Sequence, residues 1–281
     1  MTLENVSKLA VLGGGKMGST LIRAVLDAEL LEPGQIAVTT LHPATLERFE
    51  EIPGLQTGTD NAAAVDGADV VLLCVKPQKT AEVLESVRAA LAPGRLLVSI
   101  AAGATTEMLE RHVQEGVAVV RAMPNTPSLV GAGMTAICGG SKATREHQEQ
   151  ARTIFGAMGR TLLIDESSFD AVTGLSASGP AFVYTITKRC LAAAATAPDA
   201  AVGESLSPES AVAVELAAAA CVGAAKMVLE TGGHPALLKD DVTTPAGCTV
   251  DGILELEAGG LRVTLIKAVI EAKRRAGELV D

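Results

Sequence analysis

Short apolar runs alternate with amphipathic segments along the first 165 residues of the chain. The runs are rich in Val, Leu and Ile and are bounded by turn-forming residues, as expected for strands buried on both faces of a sheet. Their alternation with helical segments predicts a mostly parallel, doubly wound sheet. The predicted strands cover residues 8–12, 36–40, 70–75, 96–100, 117–121, 135–138 and 161–164, and the predicted helices cover 18–30, 44–51, 80–91, 106–115 and 143–158.

The pattern changes after about residue 167, where strand-like runs end and long segments rich in Ala, Leu and Val follow. Pro and Gly-Gly pairs separate these segments, which is typical of consecutive helices. We therefore expect two domains, an α/β N-terminal Rossmann-type doubly wound sheet at 1–166 and an all-α C-terminal domain at 167–281. The predicted C-terminal helices cover residues 178–196, 208–230, 235–242, 247–257 and 261–280.

Composition narrows the class of protein. The chain has 281 residues and a net charge of −10, with 2% aromatic residues and no cluster of Lys or Arg, so nucleic acid is not expected as a partner. Its five Cys residues form no C-x-x-C pair and are odd in number, which is typical of reduced thiols, so a cytoplasmic location is expected. The first nine residues lack the pattern of a signal peptide.

One segment, residues 211–229, is long enough to span a membrane. It contains Glu215 and Lys226, and much of it is Ala, which is only weakly apolar. We therefore expect no membrane partner and interpret the segment as a helix buried at a domain or subunit interface.

A glycine motif follows the first predicted strand. Residues 13–18 read G-G-G-K-M-G, which is G-x-G-x-x-G between a strand and a helix. In a dinucleotide-binding motif, Gly13 would permit the tight turn, Gly15 would let a pyrophosphate approach the backbone, and Gly18 would let the helix pack on the strand. The helix N-terminus would face the anion, and Lys16 and Met17 complete the expected cofactor loop.

The end of the second predicted strand bears on the choice of coenzyme. An NAD enzyme usually has an acidic residue there, which holds the ribose 2′-hydroxyl. The segment instead reads V-T-T-L-H-P, without an acid. The Thr39 and Thr40 hydroxyls could bind a 2′-phosphate, with Lys16 or Arg48 neutralising its charge, so NADPH is favoured over NADH.

Three further loops follow later strands, at the sheet edge where ligands bind such folds. Asn125 lies between two prolines that stiffen its loop, which suits a polar group held near a ring. The residues predicted to bind cofactor in these loops are Val75, Lys76, Pro77, Ala101, Ala102, Gly103 and Asn125.

Further motifs occur in order along almost the whole chain. They are D-N-A at 60–62, A-D-V-V-L-L-C-V-K-P-Q, S-I-A-A-G, M-P-N-T-P, A-V-T-G-L-S-A-S-G-P-A-F-V, G-A-A-K-M-V-L-E and H-P-A-L-L-K-D-D-V-T-T-P-A-G-C-T. With them, the sequence resembles the pyrroline-5-carboxylate reductase family. The last three motifs lie outside the nucleotide domain and carry the specificity of the resemblance.

The resemblance implies an activity and an assembly. The family reduces Δ1-pyrroline-5-carboxylate, a cyclic imino acid, to L-proline with NADPH or NADH. Its helical C-terminal domains intertwine as a homodimer, which often assembles further. The implied cofactor residues include Asn61, in the D-N-A motif.

The resemblance also implies a substrate loop at residues 243–249. There the family binds the substrate carboxylate with hydroxyl and backbone N–H groups, and a proline followed by small residues independently predicts a helix start that favours an anion. Thr249 would place its hydroxyl near the imine nitrogen as the catalytic group. Ala246 and Ala177 replace glycines of the usual pattern, which leaves the fine specificity open. The implied substrate-binding residues are Thr244, Ala246, Gly247, Cys248 and Thr249.

Three other functions stay open at this stage. A β-hydroxyacid dehydrogenase shares the architecture, but Lys188 lies too far along the first helix of the second domain to be its catalytic lysine. A paralogue could reduce another cyclic imine, such as a piperideine carboxylate. A non-catalytic NADP-binding sensor would have no use for a substrate-anion loop. Hydride transfer to a protonated imine needs no metal, and none is expected.

Overall fold

The computed structural model describes residues 3, 5–194, 211–244 and 247–279. The chain divides into two compact units. The first contains Met1–Ser178 together with Ile270–Asp281, and the second contains Gly179–Val269. The predicted domain boundary between residues 166 and 167 stays a prediction.

The first unit contains an eight-stranded sheet with the order β3-β2-β1-β4-β5-β6-β7-β8. Every neighbouring pair is parallel except β6 and β7, which are antiparallel. The Rossmann-type doubly wound sheet predicted from the sequence is therefore confirmed. The strands are β1 (Leu9–Leu12), β2 (Ile36–Thr39), β3 (Gln56–Gly58), β4 (Val70–Leu73), β5 (Leu96–Ser99), β6 (Ala118–Met123), β7 (Gly133–Gly139) and β8 (Gly159–Leu163).

Helices cover both faces of this sheet, because alternate side chains of the central strands point to opposite faces. Leu9 and Val11 of β1 belong to one apolar layer, and Ala10 and Leu12 belong to the other. The helices of the first unit are α1 (Lys16–Asp27), α2 (Asn61–Val65), α3 (Thr80–Val87), α4 (Thr106–Arg111), α5 (Arg145–Gly156) and α6 (Phe169–Val172).

Several elements differ from the sequence prediction. The strand β3 and the short helix α2 were not predicted, and the segment predicted as a helix at 44–51 is a 3₁₀ helix at Pro43–Phe49. Helix α6 leads into a π-helical turn at Thr173–Ala177, which the sequence pattern did not predict.

An ion pair between a buried arginine on β6 and a half-buried glutamate connects β6 to the end of the sheet domain. Arg121 is only 2% exposed, and its Nη1 donates to Glu166 Oε1 at 3.1 Å. The Arg121 guanidinium also lies over the Phe169 ring, 4.4 Å from its centroid. The backbone N–H of Thr106, at the start of α4, donates to the same Glu166 oxygen at 2.7 Å. Glu166 therefore joins β6, α4 and the segment that leads into α6.

Replacing Glu166 with Ala is expected to lower the free energy of unfolding by about 3 kcal/mol, because it leaves a buried guanidinium without its counter-charge. Chemical denaturation followed by circular dichroism measures the change. The matched control is Glu107→Ala, which removes an exposed ion pair with Arg111 on α4 and should cost less than about 0.5 kcal/mol. Equal losses in the two variants would contradict the structural role of Glu166.

The described part of the second unit is helical. Its helices are α7 (Gly179–Ala194), α8 (Ala211–Thr231), α9 (Pro235–Asp241) and α10 (Cys248–Ala258), and α11 (Leu261–Gly277) continues into the first unit. Many apolar side chains on these helices are exposed in the single chain. They include Val183, Tyr184, Val212, Leu216, Val222, Leu229, Leu254 and Ile266.

Within α8, residues Val212–Thr231 are long and apolar enough to cross a membrane, with a mean hydropathy of 1.9. Length and composition alone are weak evidence for a span, since core helices of soluble proteins meet the same criteria. Only 6% of the segment is buried within one chain. Burial of this helix at a subunit interface therefore stays a prediction.

Candidate active site

The glycine loop turns sharply at the carboxyl end of β1. Gly13 has a φ of +106°, which a residue with a side chain rarely adopts. A Cβ at this position would also lie 2.6 Å from the carbonyl oxygen of Cys74, directly after β4. The backbone N–H groups of Gly13 and Gly14 both donate to the Thr39 carbonyl, at 3.1 and 2.8 Å. The loop is therefore held between the ends of β2 and β4.

The other two motif glycines have different surroundings. Gly15, the N-cap of α1, is exposed, and a Cβ there would have no heavy atom within 4 Å. A Cβ on Gly18 would overlap the carbonyl oxygen of Gly13. Gly18 thus allows α1 to pack on the turn, whereas the space over Gly15 is open to a ligand.

The N-terminus of α1 is prepared for an anion. No side chain caps it, and its first turn contains no acidic residue. Unpaired N–H groups and the positive end of the helix dipole then face outward beside Gly15. Lys16 is exposed and Met17 is half-buried at the same turn. These features fit a dinucleotide pyrophosphate.

The two threonines at the end of β2 are buried, and both hydroxyls already have protein partners. Thr39 Oγ1 donates to Asn61 Oδ1 at 2.6 Å, and Thr40 Oγ1 donates to the His42 carbonyl at 3.0 Å. A hydroxyl has a single hydrogen to donate, so neither can also donate to a phosphate in this arrangement. The bond from Thr39 orients the Asn61 amide, because its oxygen accepts this bond.

Arg48 reaches the glycine loop from the segment after β2. Its Nη1 lies 3.5 Å from the Gly14 carbonyl oxygen, and its side chain is exposed. From the sequence, this arginine was one of two candidate cations for a 2′-phosphate. The structure places it beside the turn at which the adenosine half of a dinucleotide begins.

The loops after β4 and β5 lie at the same edge of the sheet. The Cys74 N–H donates to the Leu12 carbonyl, and the Ile100 N–H donates to the Leu73 carbonyl. After Cys74, Val75 and Pro77 are half-buried and Lys76 is exposed. After Ile100, Ala101 is buried, and Gly103 has a φ of +80°. The predicted cofactor positions in these three loops thus lie at one edge of the sheet. They are Gly13, Gly15, Val75, Lys76, Pro77, Ala101, Ala102 and Gly103.

The environment of this edge keeps its thiol protonated. Loss of contact with water raises the pKa of Cys74 to about 12, so the side chain is a neutral thiol at physiological pH. Desolvation likewise raises the pKa of Cys138 on β7 to about 12. Neither cysteine is therefore suited to act as a nucleophile.

Asn125 follows β6 at the same edge, and both its amide oxygen and its amide nitrogen have protein partners. Its Oδ1 accepts from the Met134 N–H at 2.9 Å. Its Nδ2 donates to the Ser176 carbonyl at 3.2 Å and lies 3.4 Å from the Ser176 hydroxyl. No pattern in the sequence identified Ser176 as a partner of this loop.

The substrate loop predicted from the sequence lies in the second unit. The Gly247 N–H donates to the Thr244 carbonyl at 2.9 Å, and Gly247 is the N-cap of α10. No side chain caps this helix, and Thr244, Cys248 and Thr249 are exposed around its start. Ala246 lies outside the described residues. The loop is therefore an uncapped helix start surrounded by hydroxyl groups, which suits a carboxylate.

Among the described residues, no three His, Cys, Asp or Glu side chains come close enough together to hold a metal ion.

The doubly wound sheet and its glycine loop define the class of the protein, which is that of the dinucleotide-binding Rossmann proteins.

Family comparisons identify the chain more closely. Residues 8–103 match the family model described as NADP oxidoreductase coenzyme F420-dependent, and residues 166–279 match that described as pyrroline-5-carboxylate reductase dimerisation. A pyrroline-5-carboxylate reductase of Methanosarcina acetivorans is 40% identical over 277 residues, covering 99% of each chain. One of Arabidopsis thaliana is 39% identical and covers 97% of this chain and 95% of its own.

Solved structures agree with these relatives. A pyrroline-5-carboxylate reductase of Coxiella burnetii has a TM-score of 0.86 at 32% identity, covering 98% of this chain and 99% of its own. A pyrroline carboxylate reductase of Plasmodium falciparum with NADP bound has a TM-score of 0.84 at 27% identity, covering 99% of each chain. The chain belongs to the pyrroline-5-carboxylate reductase family. It is an NAD(P)H-dependent oxidoreductase acting on a C=N bond, and it forms a homo-oligomer.

Proposed function

We propose that this chain reduces Δ1-pyrroline-5-carboxylate to L-proline by transfer of a hydride from NAD(P)H. The observation that carries the proposal is the presence of two uncapped helix N-termini in one chain. One is beside the open glycine loop at the start of α1, and the other follows the threonine-containing loop at the start of α10. The first suits a pyrophosphate and the second a small carboxylate. Family membership over the full length supports their joint use.

The residues of this chain hold and orient the reactants. A nicotinamide bound there would supply the hydride that reduces the carbon of the C=N bond. The open space over Gly15 admits the pyrophosphate to the start of α1, and Gly13 and Gly18 allow the tight turn and the helix packing that leave it open. Backbone N–H groups at residues 248 and 249 bind the substrate carboxylate, since that of Gly247 already donates to the Thr244 carbonyl. A protonated imine is already electrophilic, so positioning is the main catalytic requirement.

Thr249 is the residue proposed to act on the substrate directly. It lies in the first turn of α10, and its side chain is exposed. An aliphatic hydroxyl is a poor acid, so we assign it the orientation of the imine nitrogen and not its protonation. Substrate would then bind already protonated.

NADPH is the proposed coenzyme in preference to NADH. The end of β2 has no acidic side chain to hold a ribose 2′-hydroxyl or repel a 2′-phosphate. The Asn61 NH₂ group, oriented by Thr39, and the exposed Lys16 and Arg48 side chains offer donors and positive charge to a phosphate. Thr39 contributes by orienting Asn61, since its own hydroxyl hydrogen is already used, as is that of Thr40.

We further propose a soluble, cytoplasmic homodimer formed by the C-terminal helices, which can assemble further. The exposed apolar side chains of α7 and α8 would be buried in this contact, as in obligate interfaces. Neither nucleic acid nor a membrane is a partner in this proposal.

The decisive experiment follows NADPH absorbance on addition of Δ1-pyrroline-5-carboxylate, with parallel reactions containing piperideine carboxylates or 3-hydroxy acids. Fastest turnover of the five-membered imine, yielding proline, supports the proposal. A preference for a six-membered imine would identify the paralogous activity. NADPH binding without oxidation by any substrate would point to a sensor. Repetition with NADH tests the coenzyme preference.

A further inference from the structure

The loop after β6 is attached to the π-helical turn by one side chain. Asn125 accepts from the Met134 N–H through its Oδ1 and donates to the Ser176 carbonyl through its Nδ2, at 2.9 and 3.2 Å. These two contacts connect the β6 loop to β7 and to residues 173–177. Only a side chain with both an acceptor and a donor satisfies them together.

The sequence of the turn explains why the Ser176 carbonyl accepts a hydrogen bond from a side chain. In an α-helix this carbonyl would accept from the N–H four residues later. Position 180 is a proline, which has no N–H. The backbone adopts a π-helical turn just before it, in which the Ser178 N–H donates to the Thr173 carbonyl at 3.0 Å. The Asn125 amide supplies a donor at the place where the proline removes one.

The position of this contact relates it to the coenzyme. In a doubly wound sheet, a dinucleotide lies across the carboxyl ends of the strands, with its two halves on either side of the point where the strand order reverses. Here β1 lies between β2 and β4, so β4, β5 and β6 form the half opposite to the adenosine side. The loop that Asn125 fixes thus belongs to the nicotinamide half of the edge.

We propose that Asn125 is a positioning residue, which sets the loop after β6 for hydride transfer by clamping it to the Ser176 carbonyl. This inference rests on the proposed function, because it assumes that a nicotinamide is used at this edge. It differs from a direct cofactor contact in that the Asn125 side chain is already committed to Met134 and Ser176.

Asn125→Asp separates these two roles, because a carboxylate keeps the acceptor for Met134 and loses the donor for Ser176. We expect kcat to fall about 10- to 100-fold, the scale associated with a misplacement of about 1 Å. The Kd of NADPH, measured by fluorescence titration, should stay within about threefold of wild type. A wild-type kcat in this variant would overturn the proposal. So would a rise in the NADPH Kd as large as the fall in kcat/KM, which would make Asn125 a direct cofactor contact.

Hydrogen exchange of the full-length protein tests the clamp without substrate. The Met134 amide should remain protected in Asn125→Asp and exchange faster in Asn125→Ala, which has no acceptor. Unchanged exchange in Asn125→Ala would show that the Asn125 side chain is not held between Met134 and Ser176, and would overturn the proposal. If the wild-type protein shows no NADPH oxidation with any cyclic imine, the proposed function is wrong. The exchange result still decides whether the Asn125 side chain is held in this position.

A rescue variant tests the role of the proline even if Asn125→Asp does not fold. Pro180→Ala restores a main-chain N–H within reach of the Ser176 carbonyl along the helix. The double variant Asn125→Ala with Pro180→Ala should therefore regain at least half of the loss in Tm caused by Asn125→Ala, because the Ser176 carbonyl has a donor again. Its kcat should stay as low as that of Asn125→Ala, because the loop after β6 is still not attached to this carbonyl. A double variant with no higher Tm than the single variant would overturn the assignment of the Ser176 carbonyl, and a double variant with wild-type kcat would show that the loop does not need the clamp.

Discussion

Gly15→Ala is expected to weaken NADPH binding about 10- to 100-fold while leaving the protein folded. The space over Gly15 is empty, so a methyl group would meet no protein atom. It would instead occupy the volume into which a pyrophosphate must come to reach the helix N–H groups. Losing one hydrogen bond to a charged group costs about 1.5–3 kcal/mol, which corresponds to this loss of affinity.

Stability should change little in this variant, because Gly15 has a φ of −70° and alanine adopts that conformation readily. Alanine is a poorer N-cap than glycine, so a loss below about 1 kcal/mol is expected. Fluorescence titration with NADPH and thermal unfolding of the same samples measure both effects. Wild-type affinity in Gly15→Ala would mean that the pyrophosphate does not lie over this residue.

Two other glycine variants provide comparisons for Gly15→Ala. Gly18→Ala should lose stability as well as affinity, because its Cβ would overlap the rigid Gly13 backbone, and overpacking of this kind costs about 1–3 kcal/mol. Gly156→Ala is the matched control. It lies exposed at the end of α5 with no heavy atom near its would-be Cβ, so its NADPH affinity should equal that of wild type.

These contrasting roles show how far the sequence could predict the site. The strand that precedes Gly13 is continuous and apolar, and a helical segment follows the glycines, so the sequence alone identifies the motif as a strand–turn–helix unit. The strand β3 was not predicted because Gln56, Thr57 and Gly58 are polar or small and largely exposed, so they do not form an apolar run. Helix α2 was not predicted because five residues are too few to show a helical period.

Contacts between distant residues were beyond the sequence. The bond from Thr39 to Asn61 spans 22 residues, and that from Asn125 to Ser176 spans 51. Hydrophobic periodicity contains no information on such polar pairs. The sequence did carry one local indication, since Pro180 interrupts the hydrogen bonding of a helical segment and implies that an upstream carbonyl needs another donor.

The structure gives the Thr39 and Thr40 hydroxyls protein partners, whereas the sequence predicted contacts with a phosphate. As hydroxyl residues at the end of β2, Thr39 and Thr40 were predicted to contact a 2′-phosphate. Their burial and their bonds to Asn61 and the His42 carbonyl depend on the folded arrangement of the chain, which the local sequence does not specify. By orienting Asn61, Thr39 can still serve phosphate recognition. The donor to the phosphate is then the Asn61 NH₂ group in place of the threonine hydroxyl.

Thr249→Ala is expected to lower kcat about 10- to 100-fold with pyrroline-5-carboxylate, and Thr249→Ser should retain most of the activity. The alanine variant removes the hydroxyl proposed to orient the imine nitrogen, and a hydrogen bond made at the reacting centre is worth this range. Thr264→Ala is the matched control, since Thr264 is also exposed in the first turn of a helix and its hydroxyl donates only to the Gly260 carbonyl.

The pH profile of kcat/KM then separates orientation from proton donation. If Thr249 only orients an already protonated imine, the profile of Thr249→Ala should keep the shape of the wild-type profile at a lower level, because the substrate's own protonation governs it. If the hydroxyl donates the proton, the variant should lose activity increasingly as pH rises and the neutral imine predominates. Full activity in Thr249→Ala at every pH would remove this residue from the mechanism, whereas a uniform loss would establish it as an orienting group.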